Sequence, residues 1–388
     1  VQITTTEGSP DAQMSIRVRG GGSITQSNEP LFIVDGFPVE SISDIPPTDI
    51  ESIDVLKDAS STAIYGARGA NGVIIVTTKS GKEGKVSVSY NAYYAWKKVA
   101  KTLDVLSASD YTKWQYELAQ LTNKNDDYIK YFGNYQDLDM YDNVATNDWQ
   151  DLTFGRTGHS FNHNLSINGG SDKFKYSFSY SHIDDKAIMQ MSDYARDNLN
   201  LKLNHKPLKN VSLDFSARFS KTKINGGGSN DANSSLNTDK RLKYSLLYTP
   251  YPVPGISDAL NADEEDANSL LINPLISLRD NDTRKERINY NLAGSITWEI
   301  IKDLKLKAEV GYDDYRNNAD RYYGVTTYYV RNNVDDEDKS KPAISFTRGT
   351  RTAFRSTNTL SYDFKKFFKN NKNHLNLLAG QEYIVTRE

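Results

Sequence analysis

Nine segments of this chain alternate apolar and polar residues with a period of two, and the connections between them are sorted by length. The first is Lys85–Trp96, in which Val86, Val88, Tyr90, Ala92, Tyr94 and Trp96 share one face and Lys85, Ser87, Ser89 and Asn91 the other. The alternation returns over Phe161–Asn168, Phe174–Tyr180, Leu199–His205, Val211–Phe219, Ile288–Trp298, Leu304–Tyr312, Thr352–Tyr362 and Leu375–Val385, in runs of about seven to thirteen residues. Side chains alternate across a strand, so each run predicts a β-strand with one apolar face. Tight turns at 168–172, 206–210 and 300–303 join some of them, whereas the alternate connections Lys97–His159, Ile183–Asp193, Lys221–Arg287 and Asp313–Arg351 are mostly long and polar. Short turns at one end and long loops at the other predict an antiparallel up-and-down membrane β-barrel, which a tilted strand of roughly 9–11 residues can span. A soluble sandwich is the alternative, and it has no reason to sort its loops. An odd count does not close such a barrel, because single-chain bacterial barrels have even strand numbers. An open sheet of this kind leaves two edges bare, so this chain is not expected to fold alone.

Ahead of these segments lies a different pattern. Leu31–Val34 and Val73–Val76 are apolar runs too short for helices, bounded by Asp35-Gly36 and Asn71-Gly72, and they read as buried strands. Between them Ile50, Ile53, Val55 and Leu56 offer a further strand, and Ala63, Ile64 and Tyr65 a helical turn. Gly66, Gly69 and Gly72 recur where the chain needs positive φ or close backbone approach. Neither phosphate-loop pattern is matched, and Gly20-Gly21-Gly22 opens no helix, so nucleotide binding has no support. Residues 1–83 therefore read as a compact mixed α/β unit, and 84–388 as a partial barrel with long loops 97–159, 221–287 and 313–351.

The gapless run from Ile53-Asp54-Val55-Leu56-Lys57-Asp58 through Tyr65-Gly66-Ala67-Arg68-Gly69-Ala70-Asn71-Gly72 to Lys79 resembles the plug domain of TonB-dependent outer-membrane transporters. Ile16-Arg17-Val18-Arg19-Gly20 and Pro30-Leu31-Phe32-Ile33-Val34-Asp35-Gly36 carry the same likeness, more narrowly to the SusC/RagA branch. Asn147-Asp148-Trp149-Gln150-Asp151, Gly158 and the run 161–170 extend it into the early barrel; beyond about Tyr194 only the strand pattern remains. The resemblance implies a whole barrel of about 22 strands with the plug in its lumen. It implies the bacterial outer membrane, contact with its lipid, a SusD-like surface lipoprotein as partner, and TonB acting through a segment expected upstream of Val1. No leader is readable, since Val1-Gln2-Ile3-Thr4-Thr5 already reads as strand. Siderophore receptors usually carry Arg-Gly-Pro where Leu56-Lys57-Asp58-Ala59 stands, which favours an importer of oligosaccharide or oligopeptide over a siderophore or cobalamin receptor. A non-transporting surface β protein is the third reading.

Within the plug, Arg17, Arg19, Glu51, Asp54 and Arg68 are expected to pair with one another or with the inner barrel wall, and Asp35, Gly36, Tyr65, Gly66, Gly69 and Gly72 to shape the same network. In the loops, Tyr244, Tyr248, Tyr322, Tyr323, Tyr328 and Tyr329 are candidate contacts for ligand or partner, whereas Tyr94 and Trp96 read as an interfacial girdle.

Other chemistry is scarce. With 47 Lys and Arg against 50 Asp and Glu, the chain has no overall basic excess with which to hold nucleic acid. It has no cysteine, hence no disulfide or thiolate metal site, and no apolar run of about twenty residues for a membrane helix. His159 and His163 on one strand stand about 13 Å apart, too far to share a metal, and His163, His182 and His205 read as wall residues. The acidic runs Asp263-Glu264-Glu265-Asp266 and Asp335-Asp336-Glu337-Asp338 read as solvated loop; calcium is the alternative, without the spacing of a known calcium loop. No other cofactor is expected, and no Ser/His/Asp spacing recommends an enzyme.

Overall fold

The computed structural model describes residues 1–5, 14–18, 28–39, 41–58, 62–226, 245–254, 256, 273–327, 330, 341–364 and 375–388. Near the N-terminus, β1 (Gln2–Thr5) and β2 (Met14–Arg17) pair as an antiparallel ribbon. Next come β3 (Leu31–Val34), β4 (Phe37–Val39), β5 (Ile50–Leu56) and β6 (Val73–Thr78), a four-stranded sheet in the order β4-β3-β6-β5. The β3–β6 pair is parallel, and Phe32, Val34, Ile74 and Val76 are buried with Ile16 as one core. Asp35 and Gly36 both take positive φ, 50° and 88°, which is what a two-residue hairpin between twisted strands requires. A 3-10 helix (Ala63–Gly69) leads back to β6 through Gly72 at φ 94°, where an added Cβ would come within 2.8 Å of Val18 Cγ1. Only glycine meets both conditions there.

The rest of the described chain builds one wall. It contains β7 (Gly84–Lys97), α1 (Ala108–Thr122), α2 (Asn125–Phe132), α3 (Trp149–Phe154), β8 (Gly158–Gly170), β9 (Phe174–Lys186), β10 (Asp193–Leu208), β11 (Val211–Asn225), α4 (Pro274–Asp280), β12 (Thr283–Ile301), β13 (Leu304–Tyr323), β14 (Ala343–Asp363) and β15 (Asn376–Arg387). The nine strands β7–β15 form a single antiparallel sheet in chain order, open between its edges β7 and β15. On the outer face Tyr290, Leu292, Ile296 and Trp298 of β12 are exposed in alternation, and Tyr94 meets Trp96 edge-on at 4.8 Å on β7. No described helix is long and apolar enough to cross a membrane.

The strands, 12 to 21 residues long, outrun the periodic segments. The connections shrink accordingly to 98–157, 226–282 and 324–342, correcting the longer loops read from the sequence. Just beyond the central apolar band both faces are polar, so alternation fades while the ladder continues, as in Arg316↔Thr350 and Asn317↔Gly349, before Ile344 and Phe346 again stand exposed on the outer face of β14. Tyr322 and Tyr323, expected in a loop, sit on β13 opposite Ile344 and Ala343.

The first long connection is not irregular. Its helices α1 and α2 bury Ala108, Tyr111, Ala119, Tyr128 and Phe132 against Tyr251 and Val253 of the connection between β11 and β12. Ser107 caps α1 by accepting from Asp110 N at 3.1 Å, and Asp148 caps α3. Asn147 N donates to Pro250 O at 2.7 Å and Trp149 Nε1 to Thr249 O at 2.9 Å, so the two connections share one folded cap.

Candidate functional site

The wall's inner face wraps the plug, and each strand from β8 to β15 reaches it. Asn164 Nδ2 donates to Thr48 Oγ1 at 2.7 Å, and Ser179 Oγ to Asp49 at 2.8 Å. On β10, Lys202 Nζ donates to Asp35 at 2.7 Å and to Thr78 O at 2.8 Å, and Arg196 donates to Ser43 O at 2.6 Å. Arg218 on β11 stands 3.7 Å from Asp35, and Arg287 on β12 stands 3.6 Å from Asp44. Gly311 on β13 makes room for the Phe37 ring, which a Cβ there would overlap. Arg355 on β14 donates to Gly36 O and stacks on Phe37 at 5.4 Å. Glu382 on β15 accepts from Arg355 at 2.5 Å and faces Arg68 at 3.5 Å.

Asp35 gathers four polar partners in this seam, two from Thr78 and one each from Lys202 and Arg218. Its left-handed backbone turns the carboxylate back toward β6, where Thr78 N and Oγ1 donate to it at 2.9 and 2.8 Å. Burial alone would push its carboxyl up, but the Lys202 and Arg218 charges outweigh burial and hold it below the usual carboxylate range. Asp49 is the opposite case: burial pushes it up, and the Ser179 hydroxyl offsets this only in part. Between plug and wall remains a cavity of about 60 Å³ lined by Asp44, Asp49, Asn200, Arg218, Asn289 and Asp313, among others. The interface is mostly polar, with the Phe37 ring packed at Gly311 as its apolar exception.

The TonB-dependent Receptor Plug Domain family matches residues 1–73. TonB-dependent receptor SusC of Bacteroides thetaiotaomicron is 39% identical over 206 residues, covering 50% of this chain and 19% of SusC. TonB-dependent receptor P3 of Formosa agariphila is 30% identical over 389 residues, covering 97% of this chain and 34% of P3. The RagAB peptide importer in its open-open state matches with a TM-score of 0.72 at 25% identity, over 99% of this chain and 44% of that one. The chain belongs to the SusC/RagA branch of TonB-dependent receptors. It spans about a third or less of these curated relatives.

In this SusC/RagA-type receptor the seam gathers some of the sequence candidates and leaves others apart. Asp35, Gly36 and Arg68 meet the wall, and half-buried Tyr65 has its hydroxyl pushed up by burial despite the nearby Arg355 charge. Glu51 instead faces Lys82 at 3.9 Å with both side chains exposed, Asp54 accepts from Ser52 at 3.3 Å, and Arg17 is exposed at the end of β2. Gly66 and Gly69 shape the 3-10 helix without touching the wall's charges: Gly66 takes φ 56°, and Gly69 lies against Thr62. Arg19, Tyr244, Tyr328, Tyr329 and both acidic runs lie outside the described residues. Tyr248 is buried edge-on against Trp149 at 5.3 Å, so it serves the cap's own core rather than an open contact surface. Tyr322 is exposed on β13, and Tyr323 lies under Arg321 at 4.6 Å. His182 sits on β9 with Nδ1 2.8 Å from Asp197, and among the described residues no three potential metal ligands converge.

The residues missed from sequence are Lys202, Arg218, Arg287, Arg355 and Glu382 on the wall and Asp44 and Asp49 on the plug. A signal existed for the first two. Lys202 and Arg218 are charges at polar-face positions inside the periodic runs, and that face is the lumen side of a barrel.

Proposed function

We propose that this receptor imports an oligosaccharide or oligopeptide across a bacterial outer membrane, energised by TonB and assisted by a SusD-like surface lipoprotein. The observation that carries the proposal is the polar seam around Asp35. A plug held by an apolar core would have to lose its contacts together. Hydrogen bonds and charge pairs exchange for water one at a time, each at a net cost of about 0.5–1.5 kcal/mol, or somewhat more where charged. A pull from the periplasm can therefore open the lumen stepwise without unfolding the wall. In this reading the short turns face the periplasm, the apolar outer face meets lipid, and the folded cap of α1, α2 and α3 offers the lipoprotein a rigid platform outside. The likeness to SusC and to the RagAB peptide importer supports nutrient import and keeps both substrate classes.

The test is to express the full-length parent gene in its host, extract the membrane in mild detergent, and identify what co-purifies. A stoichiometric surface lipoprotein, with uptake of its bound ligand lost when TonB is deleted, is the expected result. A barrel that comes out alone and binds an iron chelate or cobalamin replaces the proposal with a siderophore or cobalamin receptor.

A further inference from the structure

We infer that the cargo is anionic: an oligomer bearing repeated carboxylate or sulfate groups, recognised by a band of cations on the inner wall that runs from the edge of the plug to the loop ends. The inference rests on the import reading and deepens it. Which residues face inward follows from strand parity. Lys202, Arg218 and Arg355 touch the plug, and Asn291 accepts from Arg218 at 2.9 Å and donates to Asp313 at 3.2 Å. Even positions of β10 and β11 and odd positions of β12, β13 and β14 are therefore inside. Toward the loop ends those positions hold Arg196, Lys285, Arg287, Arg321 and Arg351, with Lys97 inside β7.

Carboxylates answer only part of this band. Asp185 is taken by Lys97, and Asp44 of the plug faces Arg287. Among the described residues no ion pair at contact distance involves Arg196, Lys285 or Arg321, although the Arg196 charge still acts on Asp49 of the plug. Arg196 donates to a carbonyl, Ser43 O, and Arg321 to the amide oxygen of Asn281 at 3.3 Å, while the buried Nε of Arg321 has no hydrogen-bond partner among the described residues. Arg196, Thr222 and Arg287 occupy one register row, which puts Arg196 and Arg287 about 10 Å apart, and β10 to β14 spans about 19 Å.

An excess of charges of one sign lining a low-dielectric concavity focuses the field and concentrates ligands of the opposite sign. A guanidinium fork also matches the oxygens of a carboxylate or sulfate. A neutral oligomer gains from neither effect.

The test uses the full-length receptor in detergent, titrated with an oligoglutamate peptide, a sulfated or uronate oligosaccharide, and a neutral oligosaccharide of equal length. One anionic probe is expected to bind, with affinity falling about tenfold between about 50 and 300 mM salt. The double variant Lys285→Gln/Arg321→Gln, which touches no plug residue, should weaken that binding by about tenfold more. The charge-keeping Lys285→Arg/Arg321→Lys should retain most of it. Which anionic probe binds separates an acidic peptide from an acidic glycan. Equal binding of the neutral probe, indifferent to salt and to the double variant, overturns the inference while leaving import standing. Salt-dependent binding of an anionic probe whose uptake persists without TonB supports it and removes TonB-driven import.

Discussion

Asp35 and Lys202 meet at 2.7 Å across the boundary between plug and wall, and the same carboxylate also faces Arg218 at 3.7 Å. Removing one member of a buried pair leaves the other charge uncompensated, at a cost of about 3–5 kcal/mol. Asp35→Asn tolerates the left-handed turn and keeps an acceptor for Thr78, so it isolates the charge. In the full-length receptor we expect faster proteolysis of the β3–β4 hairpin and leak of a large hydrophilic antibiotic. Unchanged protease resistance would remove Asp35 as an anchor of the plug.

The two aspartates of the seam respond to pH in opposite directions. Asp35 has a depressed folded pKa, so its contribution is present above the unfolded value of about 3.9 and is lost as pH falls through the folded one. Asp49 has a raised folded pKa, so its contribution is present below that unfolded value and is lost as pH rises through the folded one. Plug protection, read by hydrogen exchange in β3 and β6, should therefore be greatest in mildly acid solution and decline on both sides. Asp49→Asn should flatten the neutral side and Asp35→Asn the acid side; a profile unmoved by either substitution would rule out both assignments.

Gly311 of β13 leaves the space that the Phe37 ring fills. Gly311→Ala should displace the ring from under Arg355 and cost about 1–3 kcal/mol of plug docking by overpacking. Pairing it with Phe37→Leu should recover part of the loss in the same protease assay. Additive losses in the double variant would mean that the two residues are not in contact.

Two tyrosines of the cap should behave differently. Tyr251 Oη lies 2.5 Å from Thr112 Oγ1, whereas the buried Tyr128 hydroxyl has no hydrogen-bond partner among the described residues. Burial, reinforced by the neighbouring tyrosines, pushes the Tyr128 hydroxyl up to about 12. Tyr251→Phe should cost about 0.5–1.5 kcal/mol, and Tyr128→Phe should be neutral or stabilising. Thermal protection of the cap peptides, followed by hydrogen exchange in the full-length receptor, measures both; a Tyr128→Phe variant less stable than Tyr251→Phe would contradict the packing.

By itself the sequence determined the nine strands, the face each turns outward, and the mixed α/β unit ahead of them with its turn at Asp35-Gly36 and its glycine at 72; that the turn closes a hairpin onto Phe37–Val39 came from the structure. Those features are local: period-two alternation and positive φ are dictated by neighbouring residues, and a continuous apolar band keeps the alternation visible. Where the band ends the signal ended too, so β12, β13 and β14 run on through stretches read as loop, and Tyr322 and Tyr323 became strand residues. Only the tertiary structure decided which charges meet. Asp35 finds Lys202 at a separation of 167 residues, and Arg68 finds Glu382 at 314. Those partnerships depend on how one folded sheet seats inside another, and no pattern confined to neighbouring residues carries that register.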